Sequence, residues 1–233
     1  VQVNLYDANL NSVDGNVSYE CFNQRCRLGE TSNGELSAPL PACVNGYISV
    51  RAGGYADAKQ LFSSNDENFV DVILEREYDL GVELELSGRE FNETAIISFV
   101  REDGKTSTAA LPQVQNIKLS EGAYEIKVYV YGDSSITIPA SSKRECVDAP
   151  REGLLGLFGS TKEECFDISI PETKIDRSLI GGGSLNTYLL ESDLSKGNIR
   201  ISADSLSRPN SVEQLAQNFE LFDSKRVGVE FHD

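Results

Sequence analysis

Short runs in which apolar and polar residues alternate, each closed by Gly, Pro, Asn or Asp, recur along the whole chain, and nothing constrains its fold more. In "VQVNLYD" Val1, Val3 and Leu5 alternate with polar neighbours; "NVSYECF", "ELSAPL", "GYISVRA" and "NFVDVILE" follow, set apart by turns such as "SVDG" and "TSNG". Side chains of a strand point alternately to its two faces, so each run has one face to bury and needs other strands to bury it against. The pattern predicts a small antiparallel sandwich over residues 1–75. The charged stretch "EREYD" (75–79) then resets it. A second series follows: "GVELELSG", "TAIISFVRED", "VQNIKL", "AYEIKVYVYG", "SSITIP", "CFDISIP", "NTYLLE", "NIRISA" and "RVGVEF". The expected fold is all-β, with two tandem antiparallel β-sandwich domains at 1–75 and 76–233.

One segment breaks the two-residue period. In "RPNSVEQLAQNFELFDSK", Val212, Leu215, Phe219 and Phe222 fall on one face at helical spacing, which predicts an amphipathic helix over about 211–224. Ser211 with Gln214, or Asn210 with Glu213, would cap its start. Its polar face carries Glu213, Gln214 and Glu220 where a membrane-surface helix carries Lys and Arg, so it is expected to cover an open side of the second sandwich. "GGG" (181–183) has no phosphate-binding helix behind it and reads as a flexible turn.

Of the 233 residues, 39% are hydrophobic, enough for a real core, and no run of 18 apolar residues is present to span a bilayer. The chain has 37 acidic and 21 basic residues, a formal charge of -16. Such a surface repels phosphate backbones and anionic lipid, so nucleic acid is not an expected partner. A start at Val1 with no Met anywhere reads as a processed or excised part of something longer.

Five cysteines fall into an early group, Cys21, Cys26 and Cys43, and a late pair, Cys146 and Cys165. The late pair would close "VDAPREGLLGLFGSTKEE" into a loop, and one pair among the early three would bridge, leaving one thiol over. The spacing suits zinc poorly, since no CxxC pair or nearby His accompanies it, and disulfides point to an oxidising, extracytoplasmic setting. Inside the late loop "GLLGLFG" places Leu154, Leu155, Leu157 and Phe158 in polar surroundings. An apolar tip of this kind is either a knob for a partner or a plug for the sandwich end.

Catalytic chemistry is thinly represented. The one His, His232, is next to the C-terminal residue, a poor place from which to build a triad, and nothing singles out two of the 37 acids as a glycosidase pair. The expectation is no enzyme and no cofactor. Structural calcium is the one metal candidate, because "DANLNSVDG" sets Asp7, Asn9 and Asn11 at alternate positions with Asp14 beyond; Asp66 and Glu67 in "SSNDEN" have similar potential. Asn16 in "NVS" and Asn92 in "NET" are glycosylation sequons. Tyr129 and Tyr131 share one face of "YEIKVYVYG", opposite Val128 and Val130. They would serve either as a sugar platform or as packing under the Cys-closed loop.

Residues 1–75 also resemble a known family, the carboxypeptidase regulatory-like domain. The likeness rests on "YDANLNSVDGNVSYE" (6–20), with a turn leading into the next strand, on the Thr-x-x-Gly turn of "TSNGEL" (31–36), and on "NGYISVRAGGY" (45–55), a strand ending in Gly-Tyr. The three early Cys depart from the family pattern, as does Leu10, where Gly is commoner; the departure implies a different first turn. The resemblance implies a seven-stranded prealbumin-like sandwich acting as a non-catalytic bead of a surface or secreted protein. The rest of the chain is similar to uncharacterised archaeal surface β-sandwich proteins. The expected function is a non-catalytic extracellular structural or adhesive module, self-assembling into a filament or surface layer through strand edges, with "VQVNLYD" as a candidate donor strand. Its expected partners are other copies of itself or neighbouring domains of the same protein. The alternative is a carbohydrate-binding module.

Overall fold

A computed structural model describes residues 1–22, 24–150 and 161–233. Its first seven strands are β1 (Gln2–Asp7), β2 (Asn16–Cys21), β3 (Gln24–Glu30), β4 (Glu35–Ser37), β5 (Gly46–Arg51), β6 (Ala58–Phe62) and β7 (Phe69–Leu74). They form two sheets, β4-β1-β7 and β3-β2-β5-β6. The alternation is what fills the space between them. Val3 and Leu5 of β1, Val17 and Tyr19 of β2, Ile48 and Val50 of β5 and Val72 and Leu74 of β7 all point inward and are almost wholly buried.

Two features differ from the sequence reading. β1 pairs antiparallel with β4 but parallel with β7, because the chain crosses from one sheet to the other between β6 and β7 and no hairpin reverses it. Flanked on both sides and with Val3 and Leu5 at 0% exposure, β1 is not available as a donor strand. β3 and β6 have no counterpart among the alternating runs of the sequence. Both are edge strands whose side chains are mostly exposed, so neither carries an alternation to read.

The second series gives β8 (Tyr78–Leu86), β9 (Arg89–Glu90), β10 (Ala95–Arg101), β11 (Thr106–Leu111), β12 (Asn116–Leu119), β13 (Gly122–Ile138), β14 (Ser141–Pro150), β15 (Thr161–Ile170), β16 (Thr173–Leu189), β17 (Asn198–Ser205) and β18 (Gly228–His232). A short helix α1 (Glu191–Leu194) precedes β17, and α2 (Val212–Ser224) precedes β18. The strand order runs β11-β10-β13-β16-β17-β8-β12, with β18 on β17 and β9 on β8. The β16–β17 seam is only two residue pairs long, Gly181–Ser205 and Gly182–Asp204. The sheet folds over itself there, so that Ile97, Phe99, Ile126 and Val128 meet Leu80, Leu84, Ile199 and Ile201 in one buried cluster. β8 and β17 are again a parallel pair.

α2 lies on β16. Ser211 is its N-cap and accepts a hydrogen bond from Gln214 N at 3.3 Å, while Gln214 Oε1 accepts one from Asn210 N at 2.9 Å. The buried side is rotated from the one that the apolar spacing indicates, sharing Leu215 and Phe222 with it. Asn218 and Phe222 are buried and Leu215 half-buried, whereas Val212 and Phe219 are exposed. Asn218 earns its place by donating from Nδ2 to Leu179 O and Ser207 O, both at 2.8 Å. Phe222 stacks on Tyr129 at 4.6 Å between ring centres and 10° between planes. The "GGG" segment, read as a flexible turn, is buried strand inside β16. A Cβ on Gly182 would lie 1.9 Å from Val128 O and 3.0 Å from Phe222 Cε2, so the bare backbone is what admits the helix.

The buried residues form two clusters, one spanning 3–74 and the other 80–227. Charged groups bridge the step between them: Arg101, its side chain only 11% exposed, pairs with Glu75 and Asp103, and Lys105 reaches Glu75 at 3.0 Å.

Candidate functional site: a disulfide-clamped β-arm

β13 and β16 are each 17 residues long, far beyond what the sandwich needs, and the register between them shifts twice, at Val130/Tyr131 and at Asp133/Ile136. Past Ile138 opposite Thr173 both strands break at the same level, at Pro139–Ala140 on one side and Pro171–Glu172 on the other. Proline donates no ladder hydrogen bond, so two at one level make a joint. Beyond it β14 and β15 form a separate two-stranded sheet with ten paired positions and no register shift, about 33 Å of ribbon. Of the segment 146–165, expected as a closed loop, the described residues 146–150 and 161–165 are strand. Cys146 and Cys165 sit opposite each other within the strands, and their sulfurs are joined.

The pairing sorts the ribbon into two unlike faces. Val147 is opposite Glu164, Glu145 opposite Phe166, Lys143 opposite Ile168 and Ser141 opposite Ile170, so Val147, Phe166, Ile168 and Ile170 form a stripe on one face. Each of the four is at least 50% exposed, which is unusual for a row of such side chains. The other face carries the disulfide, Arg144 4.0 Å from Asp167, and Ser142 opposite Ser169. Cys146 and Cys165 have Cα atoms 4.0 Å apart, the close spacing of a pair that exchanges no backbone hydrogen bonds. The N–H and C=O groups of Ser142, Arg144, Cys146 and Asp148 consequently point away from β15, toward an edge on which no strand lies among the described residues. A long, unbulged edge of this kind is a template for another strand. Leu154, Leu155, Leu157 and Phe158, the apolar residues of the connecting segment, lie outside the described residues.

The other sites expected from sequence fare differently. Cys21 is bonded to Cys43, which is 3% exposed, and Cys26 is a free, exposed thiol on β3. Asp7 closes a local turn: Oδ1 accepts from the N–H groups of Asn9 and Asn11 at 2.8 Å, and Oδ2 from Asn11 Nδ2 at 3.0 Å. These bonds hold its carboxyl below the usual range. Asp14 turns instead to the N–H of Gly34 at 2.8 Å. Both Asp7 oxygens and Asp14 Oδ1 are thus engaged by N–H donors. Glu67 likewise accepts from Ser63 N at 3.3 Å. Among the described residues, Cys146, Glu163 and Cys165 are the group of potential metal ligands that converge, and two of the three are spent on a disulfide. Asn16 and Asn92 are both exposed; Asn16 Oδ1 accepts from Arg27 Nη2 and Asn92 Nδ2 donates to Glu90, each at 2.9 Å. Phe222 occupies one face of Tyr129, and Tyr129 and Tyr131 are both half-buried. His232 lies 3.2 Å from Glu83, with no nucleophile assigned to it.

The cleft between the two cores collects carboxylates, lined by Glu75, Arg76, Tyr78, Glu121, Tyr188 and Glu191. Burial pulls Glu75 upward, but hydrogen bonds from Arg101 and Lys105 outweigh it and leave it below its ordinary value. Arg101 also holds Asp103 well below the carboxylate range. Burial, and then the hydrogen bond to Glu191, push Tyr78 up to about 12. A general acid requires a carboxyl held protonated, and Glu75 is driven the other way. The cleft is an ionic joint.

No protein-family model matches the chain, and no curated protein matches it. Three solved structures show a distant likeness. The Bacillus anthracis TIE protein is 12% identical over 90% of this chain and 48% of its own, at a TM-score of 0.25. A streptococcal ancillary pilin is 12% identical over 54% and 51%, at 0.23. BcpA, the major pilin subunit of Bacillus cereus, is 9% identical over 88% and 98%, at 0.26. The chain spans about half the length of the first two. Likenesses at this level carry no assignment of role.

Proposed function

We propose that the chain is a non-catalytic structural or adhesive module of an exported, cell-surface protein, and that it attaches through the β14–β15 arm. The arm is the observation that carries this reading. A ten-pair ribbon with a stripe of four exposed apolar residues and unpaired edges adds nothing to either core, and is costly to keep in water unless something covers it. Two disulfides support an oxidising location. The three-plus-four arrangement of β1–β7 supports the reading of residues 1–75 as a prealbumin-like bead of the carboxypeptidase regulatory-like kind. No helix among the described residues is long and apolar enough to cross a membrane.

Ile138 and Thr173 are directly opposed in register, so residues 139–172 can be replaced by an Asn-Gly turn that closes a tight hairpin. The shortened chain is expected to keep its thermal transition and to lose attachment to isolated cell envelopes and any assembly seen by light scattering and electron microscopy. Unchanged attachment and assembly in the shortened chain would overturn the proposal.

A further inference from the structure

We infer that the occupant of the arm's open edge is the same arm of a second copy, added antiparallel along β14 about a two-fold axis at Cys146. The inference rests on the reading of the arm as the attachment element and names its partner. Outward backbone groups belong to Ser142, Arg144, Cys146 and Asp148, so a two-fold pairing sets these residues against one another, and only the register remains to be chosen. Charge chooses it. Centring on Arg144 opposes two guanidinium groups, centring on Glu145 opposes two carboxylates, and Lys143 or Asp148 at the centre fails in the same way; centring on Val147 opposes no like charges but pairs no opposite ones either, with Arg144 against Pro150 and Cys146 against Asp148. Centring on Cys146 places Arg144 opposite Asp148 of the other copy, twice, with no like charges facing.

Arg144 can turn to this contact, since its ion pair with Asp167 is a long one at 4.0 Å and both side chains are well exposed. The paired edges exchange backbone hydrogen bonds at Cys146–Cys146 and at both Arg144–Asp148 positions. Because the axis is perpendicular to the ribbon, both stripes of Val147, Phe166, Ile168 and Ile170 fall on one side of the resulting four-stranded sheet. The contact is closed, a dimer and not a filament, since each copy uses one edge once.

Sedimentation equilibrium over a concentration series tests this with the native chain, Arg144→Asp, Asp148→Arg and the double exchange, each checked for an intact thermal transition. The native chain is expected to dimerise. Each single exchange should raise the dimer dissociation constant by about tenfold or more, and the double exchange should restore it. A dimer indifferent to the single exchanges would place the contact elsewhere and overturn the inference. A native chain that stays monomeric also overturns it; if deleting the arm still abolishes envelope attachment, the attachment reading survives with a different partner, and if not, both fall.

Discussion

Leu10 and Gly182 show what single positions reveal and conceal. Leu10 stands where the resemblance implies a glycine, and its φ of 63° lies in the left-handed region that favours one, with the residue 71% exposed. Gly182 gives the opposite lesson. Three consecutive glycines read as slack, because a sequence does not display the carbonyl and the aromatic ring that come down onto them. Gly182→Ala is expected to cost about 3 kcal/mol or more in chemical denaturation, since the Cβ meets Val128 O and the φ of +129° is unfavourable for alanine. Gly53→Ala, with nothing within 4 Å of the added carbon, should stay within about 0.5 kcal/mol. Similar losses at both positions would contradict this account of the glycines.

At the scale of elements, the strands with one buried face were legible because their alternation is the burial itself: Val3 and Leu5, or Ile97 and Phe99, announce their direction. Edge strands β3 and β6 were not, having little to bury. The end of α2 was legible from Ser211 and Gln214, but its orientation was not, because apolar periodicity has no means of registering a buried Asn. The two faces of the helix can be told apart. Asn218→Ala should cost about 1–3 kcal/mol by stripping Leu179 O and Ser207 O of their donor, while Phe219→Ala, at an exposed position, should cost under about 0.5 kcal/mol. Equal losses would mean that the helix sits as its apolar spacing implies. The arm was half visible: "CFDISIP" alternates plainly, but a sequence cannot say that the face so marked has no core to join.

Across the whole molecule, two cores meet through an ionic joint at Glu75, Arg101, Asp103 and Lys105, and the arm leaves the second core beyond a pair of prolines. Glu75 and Asp103 are both held below their ordinary values in the folded chain, so their contribution is fully present above about pH 4.5 and is lost as pH falls through their folded values. The thermal midpoint should hold from neutrality to about pH 4.5 and fall below it, and the acid loss should be smaller in Arg101→Ala, where the two carboxyls are released. An Arg101→Ala chain with the same acid profile would remove the joint from the account. The central claim concerns the arm, and residue-resolved amide exchange in dilute and concentrated native protein tests it most directly. Lys143, Glu145 and Val147, bonded to β15, should be protected in both; Ser142, Arg144, Cys146 and Asp148 should exchange freely when dilute and slow markedly when concentrated. Free exchange of those four at every concentration, in a chain that nonetheless associates, would show that the arm's open edge is not where copies meet.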